Sequence, residues 1–133
     1  MMTLIDSNIL IDIWTQDPTW KQWSSDAFAK CLADGDVGIN PVIYSEISLG
    51  FATESDVEAA VKMAGLTKLQ LPFSAAFSAG RAFQLYRKRG GTRTSTLPDF
   101  LIGAHSEVAN ISLLTRDPSG YRSYFPNITL ISP

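Results

Sequence analysis

Four acidic residues stand where a carboxylate is hard to explain by structure alone. Asp6 ends the apolar stretch Thr3-Leu4-Ile5, Glu46 lies within the apolar segment from Val42 to Leu49, Asp99 opens the small and apolar run from Phe100 to Ala109, and Asp117 follows Leu113-Leu114-Thr115. A lone buried carboxylate is costly, and several close together repel unless a cation supplies the missing charge. Hard oxygen ligands suit Mg2+ or Mn2+, which keep several waters and bind through a few carboxylates plus substrate phosphate. Such an ion lowers the pKa of a bound water, sets it in line with a phosphodiester and stabilises charge on the leaving oxygen, so no covalent nucleophile is needed. Ser7, Asn8 and Thr115, each next to or two residues from an acid, are placed to hold the ligands by hydrogen bonds. Each acid also has a structural reading: Asp6 or Asp99 as a helix cap or dipole partner, Asp117 as a turn residue before Pro118, Glu46 as a solvated helix face. Their joint placement favours a site with one or two metal ions. Asp12, one helical turn beyond Asn8, reads as a surface helix charge.

The elements that must position these groups follow from periodicity and punctuation. Thr3–Asp6 reads as a short buried strand, Ser7-Asn8 as a polar turn, and Ile9–Trp14 as helical. Asp17-Pro18 makes a helix start, and Trp20, Trp23, Ala27, Cys31 and Ala33 recur near helical spacing until Asp34-Gly35-Asp36. Val37–Ile39 is a second strand, and Pro41 opens a helix that carries Glu46 up to Gly50. Thr53 to Gly65 is an amphipathic helix beginning Thr53-Glu54-Ser55-Asp56. Leu66–Leu71 alternates apolar and polar residues, as a strand with one wet face does. Ser74–Arg89 is a long helix followed by a flexible loop over residues 90–96. Leu97-Pro98-Asp99 starts a buried central helix, and Ser112–Thr115 and Ile128–Ile131 are the last strands, with the turn-rich Arg116–Gly120 between them. Strands separated by helices imply an α/β sandwich with a mostly parallel sheet covered on both faces, and a site beyond the strands' carboxyl ends.

Composition bounds the alternatives. The chain has 133 residues, which fits a single domain able to bury a real core. No apolar run approaches the ~20 residues needed to span a bilayer, and the start Met1-Met2-Thr3-Leu4-Ile5-Asp6 predicts no secretory signal and a cytoplasmic protein. A net charge of −2 argues against nucleic-acid binding by long-range attraction, so any such contact must be local. The single Cys31 forms no intrachain disulfide and reads as a small buried hydrophobe.

With these residues in view, the sequence resembles the PIN-domain ribonucleases and, within them, the VapC toxins of bacterial toxin–antitoxin pairs. The matching stretches are residues 4–12, 41–47, 97–105 and 113–117, closed by Tyr121-Arg122-Ser123-Tyr124-Phe125-Pro126. Each segment is a weak signal; their order and spacing across nearly the whole chain are specific. The resemblance implies a PIN-like three-layer α/β/α sandwich over residues 1–133 as a single nuclease domain. It also implies an Mg2+- or Mn2+-dependent endoribonuclease with Asp6, Glu46, Asp99 and Asp117 as catalytic and metal-binding acids, supported by Asn8 and Thr115. The implied partners are a VapB-type antitoxin that blocks the site, a second copy in a homodimer, and structured cellular RNA such as transfer or ribosomal RNA as substrate. His105 departs from the small residues common at its position and reads as a packed core histidine.

Arg81, Arg87, Lys88, Arg89 and Arg93 gather on one helix and its following loop, just before Asp99, where they can grip phosphates or simply solvate a helix end. Arg89, Arg93 and above all Arg116, beside Asp117, are the candidate substrate contacts. Trp14, Trp20 and Trp23 fit packing or an antitoxin groove better than base stacking. Two other readings compete: a housekeeping or DNA-directed nuclease of the same fold, and a non-catalytic α/β regulatory module, which the residues after Leu113 disfavour by lacking a late lysine. A PIN-like scaffold without activity is disfavoured because all four acids are present.

Overall fold

A computed structural model describes residues 1–93 and 97–133; the last part of the predicted loop, residues 94–96, lies outside the described residues. Twelve elements alternate along the described chain: β1 (Met2–Ile5), α1 (Ser7–Trp14), α2 (Lys21–Asp34), β2 (Asp36–Ile39), α3 (Pro41–Ser48), α4 (Glu54–Met63), β3 (Thr67–Lys68), α5 (Phe73–Lys88), α6 (Pro98–Ala109), β4 (Ser112–Leu114), α7 (Ser119–Tyr124) and β5 (Leu130–Ile131). The strands form one sheet in the order β3-β2-β1-β4-β5, and every pair is parallel. Helices α1 to α4 pack mainly among themselves and α5 to α7 mainly among themselves, while α3 also meets α6. The crossovers run one way from β1 to β3 and the other way from β3 to β5, so right-handed connections place the two helix sets on opposite faces. This is the three-layer α/β/α sandwich expected.

The central strands are buried on both faces, as parallel strands must be: Leu4, Ile5, Val37, Ile39, Leu113 and Leu114 are all at most 1% exposed. Buried Ile9 and Leu10 of α1, Ile43 and Ile47 of α3, and Phe100, Ile102 and Ala104 of α6 join them in one continuous core. The helix starts carry their own causes. Thr53 caps α4 by accepting from the Asp56 backbone N–H, Asn40 caps α3 through Ile43, and proline stands in the first turn of α3 and α6.

The departures from the sequence reading are local. Asp17-Pro18 does not begin the second helix. The Asp17 carboxylate accepts from the Thr19 and Trp20 N–H groups, building a turn that delays α2 to Lys21. The alternating segment 66–71 yields only a two-residue strand, because β3 sits at the sheet edge with a single neighbour. The stretch read as turns before the last strand contains α7, whose six residues bury Tyr121. Among the described residues no helix is long and apolar enough to cross a membrane.

Gly103 lets α6 approach the C-terminal segment. A Cβ there would stand 2.4 Å from Cδ2 of Phe125, whose ring is 3% exposed and so cannot swing clear. Overpacking costs about 1–3 kcal/mol, against a gain of about 1 kcal/mol from helix propensity. Gly103→Ala is expected to lower stability by up to a net ~2 kcal/mol, read as a fall in melting temperature; an unchanged melting curve would show that Phe125 yields freely.

Candidate active site

The sheet order reverses between β1 and β4, and in open parallel sheets the crevice at such a switch point, beyond the carboxyl ends of the strands, is where ligands sit. Register places two acids at its lips. Ile5 pairs with Leu114 and the Asp6 N–H donates to the Leu114 carbonyl at 2.9 Å, so Asp6 and Thr115 leave the sheet side by side. Thr115 Oγ1 donates to Asp6 Oδ2 at 2.8 Å, and the Asp117 N–H donates back to that hydroxyl at 3.1 Å. Asp117 is thereby tied to Asp6 through one threonine.

The other two acids arrive on helices. Glu46 projects from α3 and accepts from Ser7 Oγ at 2.9 Å. Asp99 lies in the first turn of α6 and sits 3.3 Å from the Tyr121 hydroxyl, which also donates to Asp6 Oδ2 at 2.8 Å. Asn8 Nδ2 reaches Asp6 at 3.4 Å and Thr115 at 3.2 Å, while its Oδ1 accepts from the Arg116 N–H at 3.2 Å. All four predicted acids thus share one crevice, with Ser7, Asn8 and Thr115 bonded among them. The structural reading of Asp6 also holds in part, since its Oδ1 accepts from the Ser7 N–H at 2.8 Å and caps α1. Asp99 makes no capping bond.

Charge is crowded there. Burial raises the Asp6 carboxyl above its ordinary range, and the Asp117 charge adds to it, while bonds from Thr115, Tyr121 and Ser7 pull the other way. Partial burial raises Glu46, helped by the charges of Asp6 and Asp99. Asp99 is raised by burial of its carboxyl first and then by Asp6 and Asp117, although the residue as a whole opens to solvent. Tyr121, 1% exposed, is pushed well above its ordinary value by burial and by Asp6 and Asp99; it stays a protonated donor.

A divalent cation fits this donor set. Among the described residues no three acidic, histidine or cysteine groups converge tightly enough to enclose an ion by themselves. Mg2+ does not need such a cage, because it holds its waters and binds through one or two carboxylates and substrate phosphate. The oxygen donors are hard, and their mutual repulsion is the deficit a cation would relieve.

Asp12 corrects the sequence reading. It is 1% exposed rather than a surface charge; Arg116 donates to both its oxygens, at 2.7 and 3.0 Å, and Ser24 Oγ at 2.8 Å. Arg116, expected to meet substrate, therefore carries an internal partner, and its guanidinium lies 5.6 Å from the centre of the Trp20 ring. Arg89 donates to the Ser123 carbonyl at 3.2 Å and covers the Tyr124 ring. Arg87 braces the loop by donating to the Arg93 carbonyl at 2.8 Å. Arg89 and Arg93 remain exposed, and Arg116 partly so. Trp14 packs edge-on against Phe51 and Trp20 against Trp23.

His105 is a core residue, 3% exposed. Asn40 uses its Oδ1 to accept from the Ile43 N–H, so its Nδ2 donates to His105 Nδ1, 3.1 Å away. The histidine therefore carries its proton on Nε2, and burial holds its pKa below the ordinary value. This bond joins α6, which carries Asp99, to the cap of α3, which carries Glu46. Tyr121 is the site residue that residue-by-residue reading missed. Its one available signal was position: four residues after Asp117, a polar-tipped aromatic in a segment with few other apolar groups.

The chain is an α/β/α sandwich with acids gathered at its switch point. The PIN domain profile matches residues 3–124, so the chain belongs to the PIN domain family. Similar solved structures include VapBC2 from Rickettsia felis bound to a DNA fragment from its promoter, with 17% identity, TM-score 0.72, and 100% of this chain and 99% of that one covered. Another is VapBC-1 from nontypeable Haemophilus influenzae, with 14% identity, TM-score 0.74 and coverage of 99% and 98%. A toxin–antitoxin complex from Klebsiella pneumoniae gives 21% identity, TM-score 0.62 and coverage of 96% and 95%. At these identities the likeness is one of fold. A search of curated proteins finds no match.

Two predictions follow from the electrostatics. An acid whose folded pKa lies above its unfolded value favours folding only while protonated; its contribution is present below about pH 4 and is lost as pH rises through the folded value. At pH 7 without metal, Asp99→Asn is therefore expected to be more stable than the wild type, by roughly 0.5–1 kcal/mol given solvent screening. Excess Mn2+ should erase or reverse that gain, since only the intact site binds it; paired melts in EDTA and Mn2+ read both signs. Arg116→Ala is expected to lose about 3 kcal/mol or more, because Asp12 is left buried and charged with only Ser24 beside it. Urea titration measures this, and a loss within ~0.5 kcal/mol would show that water replaces the guanidinium.

Proposed function

We propose that the chain is an Mg2+- or Mn2+-dependent endoribonuclease that serves as the toxin of a VapBC-type pair and cuts structured cellular RNA such as transfer or ribosomal RNA. The observation that carries the reading is the meeting of Asp6, Glu46, Asp99 and Asp117 at one crevice, with three of them raised by burial and mutual charge. PIN domains are nucleases, and the acids are the metal-binding and catalytic groups of this proposal.

A bound Mg2+ or Mn2+ supplies an acidified water and charge neutralisation at the scissile phosphate. The chain's own groups do the rest. Thr115 and Tyr121 fix Asp6, Ser7 fixes Glu46, and Thr115 holds the Asp117 backbone, so the oxygens are set before substrate arrives. Arg89, Arg93 and the exposed edge of Arg116 are the proposed contacts for flanking phosphates.

Partner and assembly follow the same logic. Of the solved neighbours, one is described as a toxin–antitoxin complex and two as VapBC structures. Here an apolar groove of about 460 Å³ runs among Leu10, Ile13, Trp14, Phe28, Phe51 and Met63, and it suits a VapB-type antitoxin's amphipathic segment. Leu49, Phe73 and Phe77, 90%, 95% and 65% exposed, are apolar surface that a homodimer would cover. The proposed setting is the cytoplasm, with residues 1–133 acting as one nuclease domain. The DNA-directed alternative differs only in substrate.

The test is cleavage of total RNA and matched DNA by antitoxin-free protein with Mg2+, Mn2+ or EDTA, alongside Asp6→Asn and Asp99→Asn. Discrete RNA fragments that need metal and fall at least ~100-fold in both variants are expected, in keeping with loss of a metal-ion catalyst. DNA cleavage in place of RNA would transfer the site to the alternative, and intact RNA and DNA would remove the nuclease reading.

A further inference from the structure

We propose that Tyr121 is a positioning residue of the acidic site: its hydroxyl, donated to Asp6 and seated against Asp99, fixes which oxygen of Asp6 stays free for a cation. The inference rests on the nuclease reading above.

Tyr121 comes from α7, an element outside the four acidic segments, yet its side chain is among the largest fully buried ones. Its hydroxyl lies 2.8 Å from Asp6 Oδ2 and 3.3 Å from Asp99 Oδ1. A phenol has one proton, so it donates to one carboxylate at a time, and the shorter distance assigns it to Asp6. Asp6 Oδ2 then receives Tyr121 and Thr115, with Asn8 Nδ2 at 3.4 Å. That oxygen has no direction left for a cation. Oδ1 accepts only the Ser7 N–H and keeps a lone pair free. On the opposite side the hydroxyl stands 3.3 Å from Asp99 Oδ1, so it acts as a spacer between the two carboxylates while selecting one oxygen of Asp6.

A purely packing role predicts something different from a positioning role. The ring is fully buried, and phenylalanine keeps that ring while removing only the hydroxyl. Tyr121→Phe should keep the fold while freeing Asp6 Oδ2 and letting Asp99 swing. The measurement is Mn2+ binding by isothermal titration and RNA cleavage across Mn2+ concentration, with circular dichroism as the control for folding. The expected result is Mn2+ affinity weakened about tenfold, in the range seen when hydrogen-bond partners of metal ligands are removed, with cleavage partly restored by excess Mn2+ and KM for RNA unchanged. A variant that binds Mn2+ and cuts RNA as the wild type does overturns the positioning role and leaves the nuclease reading standing. A wild type that neither binds Mn2+ nor cuts RNA overturns both. If the phenylalanine variant loses its fold, 3-fluorotyrosine placed at position 121 alone keeps ring and hydroxyl with a more acidic O–H; an Mn2+ affinity identical to the wild type's would then overturn the proposal.

Discussion

The repulsion among carboxylates at the switch between β1 and β4 is the constraint on which the rest of the structure depends. Left alone, the acids would move apart or take up protons, and burial together with mutual charge already pushes Asp6, Glu46 and Asp99 that way. The scaffold prevents the first response by giving each acid a fixed origin. Asp6 is anchored by strand register, Asp117 by the threonine one step beyond β4, Glu46 by a proline-started helix and Asp99 by the first turn of a buried one. The second response stays open, since burial and neighbouring charge favour the protonated carboxyl.

Holding anions together in this way demands braces outside the site, and the buried polar groups supply them. His105 and Asn40 join α6 to α3 inside the core. Asp12, Ser24 and Arg116 join α1, α2 and the segment after β4. No buried side-chain nitrogen or oxygen among the described residues lacks a hydrogen-bond partner. A polar network of this kind is worth having only when it is complete, since each missing partner leaves a desolvated group uncompensated. The two braces bear on the helices and loops that carry the four acids, which explains why His105 and Asp12 are found in the interior.

Much of this was legible from sequence because it rests on local rules. Strand-then-acid at Asp6, proline-then-helix at Pro41 and Pro98, and the capped start at Thr53 need no knowledge of distant residues. The four acids were singled out because a carboxylate beside Ile5, Ile47 or Phe100, or just after the strand ending Leu113-Leu114-Thr115, is hard to explain by its surroundings. What escaped depended on partners far along the chain. Asp12 looked like any polar position on an exposed helix face, and its burial comes from an arginine 104 residues away. Tyr121 sat in a segment rich in turn formers, so the short helix that buries it was masked by Pro118 and Gly120. The edge strand fell short of its alternating pattern because pairing, and not propensity, sets strand length at a sheet margin.

Helix α1 shows how site and surface are joined in one short element. Its start is capped by Asp6, its inner turn places Asn8 and Asp12 toward the residues after β4, and Leu10, Ile13 and Trp14 form one wall of the apolar groove. Eight residues thus take their cap from Asp6, supply the buried acid of the Asp12–Arg116 pair and wall the groove. A helix so short has little stability of its own, and it is held by what it touches at either end. The wall of the groove and the cap supplied by Asp6 thus share one short backbone, so the order of α1 rests on packing at both of its ends.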